Sequence, residues 1–137
     1  MPIEIGDRPE ENLLAFARQW ADLLGQGKLL EACALLDGPD EYGGLWTPER
    51  LQNELNETYS PETIFYREHP EGPFFTSPFD APSGRERFHC DAFDDGNGYW
   101  VDYDLPISGE FSDLTALFNF RASGRLYRVA LEDLHVM

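Results

Sequence analysis

Apolar and polar residues alternate through the last third of the chain, which is the pattern of half-buried β-strands. Every second residue is apolar in four runs, at positions 87–93, 99–105, 114–120 and 127–131. The turn between the first two runs, at 94–98, is rich in residues that tolerate positive φ. The pattern predicts an antiparallel sheet of four or five strands with one buried face.

Short segments around these runs decide the details of the sheet. The β-branched and aromatic residues at 63–66 predict an edge strand, and the proline-rich stretch at 69–84 predicts a loop. Residues 106–113 are expected to form a loop or a kinked connection. In the last strand, strict alternation turns Asp133 toward the core unless a β-bulge intervenes.

Helical periodicity dominates the first half of the chain. A helix starts at Pro9 and places its large apolar residues on one face. A second helix over 28–37 is apolar almost all round, so we expect it to be well buried. A third helix starts at Pro48 behind the N-cap Thr47 and carries a narrow apolar stripe. The apolar face of the first helix consists of Leu13, Phe16, Ala17, Trp20 and Leu24.

The order of helices followed by strands predicts a single α+β domain over residues 1–137. In it, the N-terminal helices pack on one face of a bent, cone-like antiparallel sheet. We expect the first helix to contact the sheet through Leu13, Phe16 and Trp20. The strand residues that should receive them are Phe118, Phe120, Val129 and Leu131.

The charge of the chain narrows the classes of partner. Asp and Glu number 26 against 10 Lys and Arg, so the net charge is −16. Such a surface repels nucleic acid and anionic membranes and favours encounter with basic proteins. The same charge is also explained by solubility alone. The sequence shows neither a signal peptide nor a membrane span, which predicts a cytoplasmic protein.

Two His–carboxylate pairs and one carboxylate pair are the candidates for chemistry. His89 with Asp91, and Asp133 with His135, each share a strand face, where a carboxylate can orient a histidine as a general base. The other interpretation is that His135 caps the last strand and that His89 is an ordinary surface residue. Asp102 and Asp104 share a face with Trp100, and we expect them to form a solvated outer face. The two cysteines and the acidic turn form no metal motif, so neither a metal nor a cofactor is expected.

The chain resembles a known fold and a known group of proteins. Three helices with the aromatic stripe of Phe16 and Trp20, followed by a bent sheet, resemble the nuclear transport factor 2-like (cone-fold) superfamily. The segments Asp-Leu-Pro at 104–106, Gly-Glu-Phe-Ser-Asp-Leu-Thr at 109–115 and Leu-Glu-Asp-Leu-His-Val at 131–136 are similar to a group of uncharacterised bacterial proteins. The superfamily includes pocket enzymes as well as binding and dimerising modules. The resemblance therefore implies a pocket between helices and sheet, but no catalytic residue.

These observations favour a non-catalytic binding protein, either a monomer or a homodimer, with an acidic surface. One specific version is an immunity-type inhibitor of a basic toxin domain. Exposed aromatic residues should supply affinity and loop acids should accelerate encounter. The candidate binding residues are Trp46, Phe74, Phe75, Asp94, Asp95, Trp100, Glu110 and Asp113. The alternative is a small hydrolase, isomerase or dehydratase built on His89, Asp91, Asp102, Asp104, Asp133 and His135.

Overall fold

The computed structural model describes residues 2–136 and has the α+β architecture that the sequence predicts. Four α-helices and a short 3₁₀ helix precede four β-strands. The helices are α1 (Pro9–Gly25), α2 (Leu29–Ala34), α3 (Pro48–Thr58) and α4 (Phe65–Glu68), and the 3₁₀ helix is Ser83–Arg85. The strands are β1 (Phe88–Ala92), β2 (Gly98–Ile107), β3 (Glu110–Ser123) and β4 (Leu126–Val136).

The strands form an antiparallel sheet in the order β1-β2-β3-β4, so each strand pairs with its neighbour in sequence. The sheet is open, with β1 and β4 at its two edges. Helix α1 packs on one side, which we call the helix face. Residues of α1 and α3 share a single apolar core with the strand residues of that face.

The core centres on aromatic contacts between α1 and β3. The ring of Trp20 lies edge-on to Phe118 with centroids 5.1 Å apart, and Phe16 lies edge-on to Phe118 at 5.6 Å and to Phe120 at 5.2 Å. Trp20 is fully buried and its indole N–H donates to the carbonyl of Ala32. The predicted packing of α1 on the sheet is confirmed for Phe16 and Trp20, which contact Phe118 and Phe120 of β3.

The prediction of a long, buried second helix is wrong. Helix α2 has six residues, and Ala32 is its one fully buried member. Leu30 is 73% exposed. The helix is too short to be enclosed on all sides, so it meets α1 with one face and leaves the other in solvent.

The predicted edge strand at 63–66 is also wrong, because local hydrogen bonds favour a helix there. The Thr63 hydroxyl donates to the carbonyl of Ser60, and the Tyr66 N–H donates to the carbonyl of Thr63. The ring of Phe65 then stacks on His69 at 4.5 Å. Farther along, residues 74–76 of the proline-rich segment pair with β2 near Ile107 and cover that part of its edge.

The predicted loop at 106–113 is a tight hairpin instead. Strand β2 continues to Ile107 and β3 begins at Glu110, so two residues make the turn. Ser108 has φ 51° and Gly109 has φ 92°. Positive φ at both central residues is the geometry of a type I′ turn, which matches the twist of antiparallel strands.

A β-bulge corrects the alternation of the last strand. Leu117 pairs with Asp133, but the next residue, Phe118, pairs with Leu131, so Glu132 is the extra residue. Beyond the bulge, Leu134 is buried and Asp133 is exposed. The β-bulge that the sequence allowed is therefore present, and it keeps the Asp133 carboxylate out of the core.

Candidate functional site

The face of the sheet turned away from α1, which we call the outer face, carries most of the candidate residues. Cross-strand partners lie on the same side of a sheet. Trp100 pairs with Asp91 and Asn119, and Asp102 pairs with His89 and Leu117. Trp100, His89 and Asp91 are exposed, and Asp102 is half-buried. The outer face is therefore a polar surface with one large aromatic residue near its centre.

An acidic recess lies at the end of the outer face formed by the β1–β2 hairpin. It encloses about 600 Å³. The rings of Phe93 and Trp100 meet edge-on at 5.3 Å in this recess. Three exposed carboxylates border the rings, so the recess joins an aromatic surface to negative charge. It is lined by Asp91, Ala92, Phe93, Asp94, Asp95, Trp100 and Arg121.

The turn at 94–97 holds the rim of the acidic recess in place. The Phe93 N–H donates to the carbonyl of Gly98, which closes the hairpin. The Asn97 N–H donates to the Asp95 carboxylate, and Gly96 has φ 73°. The guanidinium of Arg121 lies 4.8 Å from the centre of the Phe93 ring and 3.9 Å from Asp95. One cation of the chain thus already occupies the side of the recess nearest β3.

A polar cleft of about 540 Å³ lies farther along the outer face. Its central group is the Asp104 carboxylate, whose side chain is 9% exposed. Asp104 receives Arg87 Nε at 2.7 Å and the Thr115 hydroxyl at 2.7 Å. The expected solvated pair of carboxylates is thus wrong for Asp104, because these two donors replace water around it. The cleft is lined by Glu86, Arg87, Phe88, His89, Asp102, Asp104 and Thr115.

A second carboxylate fixes the start of β1 to the helix face. Glu86 accepts two hydrogen bonds from Arg18, at 2.9 and 2.5 Å, and one from the Tyr103 hydroxyl at 2.8 Å. The hydrogen bond from Arg18 holds the pKa of Glu86 below its ordinary value. Burial, followed by the hydrogen bond to Glu86, raises the pKa of Tyr103. This cluster positions the strand and fills three of the roughly four acceptor directions of the Glu86 carboxylate.

The two His–Asp pairs do not meet. His89 Nε2 lies 2.9 Å from Asp91, and His135 Nδ1 lies 3.2 Å from Asp133. Both pairs are on the outer face, but β2 and β3 separate them by about 14 Å at the usual strand spacing. Among residues 2–136, no three His, Cys, Asp or Glu side chains are grouped as metal ligands would be.

Trp46 is a structural residue and not an exposed anchor. Its ring is 7% exposed, and its indole N–H donates to the carbonyl of Leu131 at 2.6 Å. The guanidinium of Arg50 covers the ring at 3.7 Å and also binds the buried carboxylate of Asp40 at 2.8 Å. That hydrogen bond, followed by the one from the Gly44 N–H, lowers the pKa of Asp40. The cluster connects the loop before α3 to β4.

The other predicted binding residues lie apart from the acidic recess. Phe75 is buried beside β2, whereas Phe74 is 47% exposed. Glu110 and Asp113 are exposed near the opposite end of β2. The Tyr59 hydroxyl donates to Asp113, and burial raises the pKa of Tyr59 to about 12. Of the eight predicted residues, Asp94, Asp95 and Trp100 are the three that the structure brings together.

Sequence reasoning missed the residues that complete each site. Phe93 and Arg121 line the acidic recess, and Arg87 and Thr115 hold Asp104. The hairpin register contains a signal for Phe93, because a turn at 94–97 places it opposite Gly98 and beside Trp100. No short-range signal identifies Thr115, because its pairing with Asp104 depends on the length of the β2–β3 turn.

A protein family described as a domain of unknown function (DUF7668) matches residues 48–137. The chain belongs to this family. The match contains α3 and all four strands, so the acidic recess and the polar cleft both lie within the family domain, whereas α1 precedes it. No curated protein and no solved structure matches the chain. The resemblance to the cone-fold superfamily and to the bacterial group stays a prediction. Among residues 2–136, no helix has the length and apolar character of a membrane span.

Proposed function

We propose that this family member is a non-catalytic, cytoplasmic binding protein of bacterial type that captures a basic protein on its outer face. The acidic recess is the contact site, and an immunity-type inhibitor of a basic toxin domain is the specific version we favour. The proposal includes no cofactor and no nucleic acid. The observation that carries it is the position of Trp100 among three exposed carboxylates.

The geometry of the acidic recess suits an arginine or lysine side chain. Trp100 is 38% exposed, so one face of its ring is available to a cation. Asp91 and Asp94 lie beside it and can neutralise that cation. An aromatic anchor surrounded by polar groups is the usual arrangement of an energetic hot spot at a protein interface.

The net charge supports the same class of partner. At −16, the chain attracts basic proteins over a distance set by the ionic strength. Encounter should therefore be fast at low salt and slower at high salt. Desolvation of Trp100 in the acidic recess would then supply the affinity that long-range charge does not.

A titration with a short arginine-rich peptide, followed by NMR of the indole N–H groups, tests the site directly. The signal of Trp100 should shift, because its ring lines the acidic recess. The signals of Trp20 and Trp46 should stay in place, because both N–H groups are bonded to backbone carbonyls in the core. A glycine–serine peptide of equal length controls for non-specific effects.

Matched charge variants distinguish the contribution of the acidic recess to peptide binding from that of the overall negative charge. Asp94→Asn/Asp95→Asn and Glu57→Gln/Glu110→Gln each remove two exposed negative charges, but only the first pair borders the recess. Trp100→Ala should weaken peptide binding about tenfold or more. The Asp94/Asp95 variant should weaken it several-fold, and the Glu57/Glu110 variant should keep the Trp100 shift. Equal losses in both charge variants would contradict a defined site and leave the charge as a solubility device.

A pocket enzyme is the second candidate, and the polar cleft is the observation that favours it. The cleft brings together His89, Asp102 and Asp104 from the predicted pocket set. Asp104, however, is already bound by Arg87 and Thr115, and His89 is paired with Asp91. Asp102 is then the one carboxylate of the cleft available to act on a substrate. Loss of any detected activity in Asp102→Asn, together with peptide binding that Trp100→Ala leaves unchanged, would support this candidate over the first.

A further inference from the structure

The edge of the sheet at β1 has backbone groups directed to solvent. The Asp104 N–H donates to the carbonyl of Arg87, and the Phe93 N–H donates to the carbonyl of Gly98. In an antiparallel pair the bonded residues alternate, so the backbone of His89 and Asp91 faces β2. The backbone groups of Phe88, Cys90 and Ala92 therefore point away from the sheet. Within residues 2–136, these three residues make no backbone hydrogen bond to any segment outside the sheet.

The opposite edge, at β4, is covered at the corresponding positions. Tyr127 exchanges two backbone hydrogen bonds with Ile3, at 3.0 and 2.7 Å. Val129 binds both the backbone N–H and the carboxylate of Asp37. The carbonyl of Leu131 accepts the indole N–H of Trp46. Three alternate residues of β4 are thus satisfied by other parts of the chain, which protects that edge from strand addition.

We propose that β1 pairs antiparallel with β1 of a second copy of this chain, joining the two sheets across a two-fold axis at Cys90. One antiparallel register pairs all five residues of the strand with its copy. In that register Cys90 faces Cys90 of the second copy, and Phe88 faces Ala92. The outward N–H and carbonyl groups of these three residues then bond to one another.

The side chains of β1 are complementary in this same register. His89 of one copy lies opposite Asp91 of the other, and the symmetry makes this pair twice. Both belong to non-hydrogen-bonded positions, where opposite Cα atoms are about 4.5 Å apart and side chains are closest. His89 and Asp91 are 66% and 68% exposed in the single chain, so each can exchange its contact within the strand for the one across the two-fold axis. β1 also contains neither a lysine nor a proline, which commonly protect edge strands.

The proposed dimer is separate from the binding of a basic protein, and added salt should affect the two associations in opposite directions. Two copies of charge −16 repel each other, so added salt should strengthen their association. Binding of a basic peptide in the acidic recess should weaken with salt. A five-residue strand is a small contact, so the dimer should be weak and should dissociate on dilution.

Oxidative cross-linking tests the register. In a Cys33→Ser background, Cys90 is the one remaining thiol. Opposite Cα atoms of a hydrogen-bonded pair are about 5.5 Å apart, which a disulfide can span. Mild oxidation should give a covalent dimer of twice the 15.7 kDa chain mass. The matched control, Cys33→Ser/Cys90→Ser/Ala92→Cys, moves the thiol along the same strand, about 13 Å from its copy, and should not cross-link.

Sedimentation equilibrium of charge variants tests the pairing without a covalent bond. His89→Asp places two carboxylates opposite each other and should weaken dimerisation about tenfold. The exchanged variant His89→Asp/Asp91→His restores both pairs and should return to the wild-type value. A single 15.7 kDa species at every concentration, equal cross-linking of both thiol positions, or no rescue by the exchange would overturn the proposal.

Discussion

The two faces of the sheet differ in what holds their side chains. On the helix face, Phe118 and Phe120 are enclosed by the aromatic residues of α1 and contribute through apolar burial. On the outer face, Asp104 and Thr115 are also buried but are held by a hydrogen bond and an ion pair. Burial alone therefore does not show which part of this sheet is core. The chemistry of the buried group decides it.

Replacing one tryptophan on each face should give the largest contrast. Trp20→Ala removes a fully buried indole and should lower the free energy of unfolding by about 3–5 kcal/mol. Trp100→Ala on the outer face should lower it by at most about 1 kcal/mol, because that ring is exposed and contacts mainly Phe93. Guanidinium unfolding curves measure both. Similar losses would contradict the division into a core face and a binding face.

A smaller effect is expected from the buried hydroxyl of the outer face. Thr115→Val keeps the shape of the side chain but removes the hydrogen bond to the Asp104 carboxylate, and should cost about 1.5–3 kcal/mol. Thr115→Ser keeps the hydroxyl and should recover much of that stability. A Thr115→Val variant as stable as the wild type would show that Arg87 alone satisfies Asp104.

The smallest effect concerns pH and the Glu86 cluster. The pKa of Glu86 is lowered from 4.5 by Arg18, so the folded state favours the carboxylate. The resulting stability is complete above pH 4.5 and is lost as the pH falls through the lowered pKa. Unfolding measured from pH 7 downward should therefore show a steeper acid loss in the wild type than in Glu86→Gln. Parallel profiles would assign the acid loss to other carboxylates.

Local sequence signals predicted the elements that have a regular apolar pattern of their own. The alternation of β3 and the periodicity of α1 identified both sides of the Trp20–Phe118 contact. The two-residue hairpin at Ser108–Gly109 was missed, because serine at positive φ is not a common turn signal. The exposure of Leu30 was missed because helical periodicity does not show how many other elements pack around a short helix.

The candidate site was predictable only in part for the same reason. Asp94, Asp95 and Trp100 belong to one hairpin, so their proximity follows from the turn. The burial of Trp46 depends on a hydrogen bond to Leu131, which is remote in sequence. Likewise, the buried state of Asp104 depends on Thr115 of β3 and on Arg87, which immediately precedes β1. Pairings across the sheet decide which predicted residues face solvent.

The contact between Trp20 and Phe118 also sets an order of events during synthesis. Helix α1 is synthesised before β3, the strand that covers part of its apolar face. At about 5–20 residues per second, several seconds pass between the synthesis of Phe16 and Trp20 and that of Phe118. A nascent chain of this protein therefore exposes the apolar face of α1 until β3 has been synthesised and can pack on it.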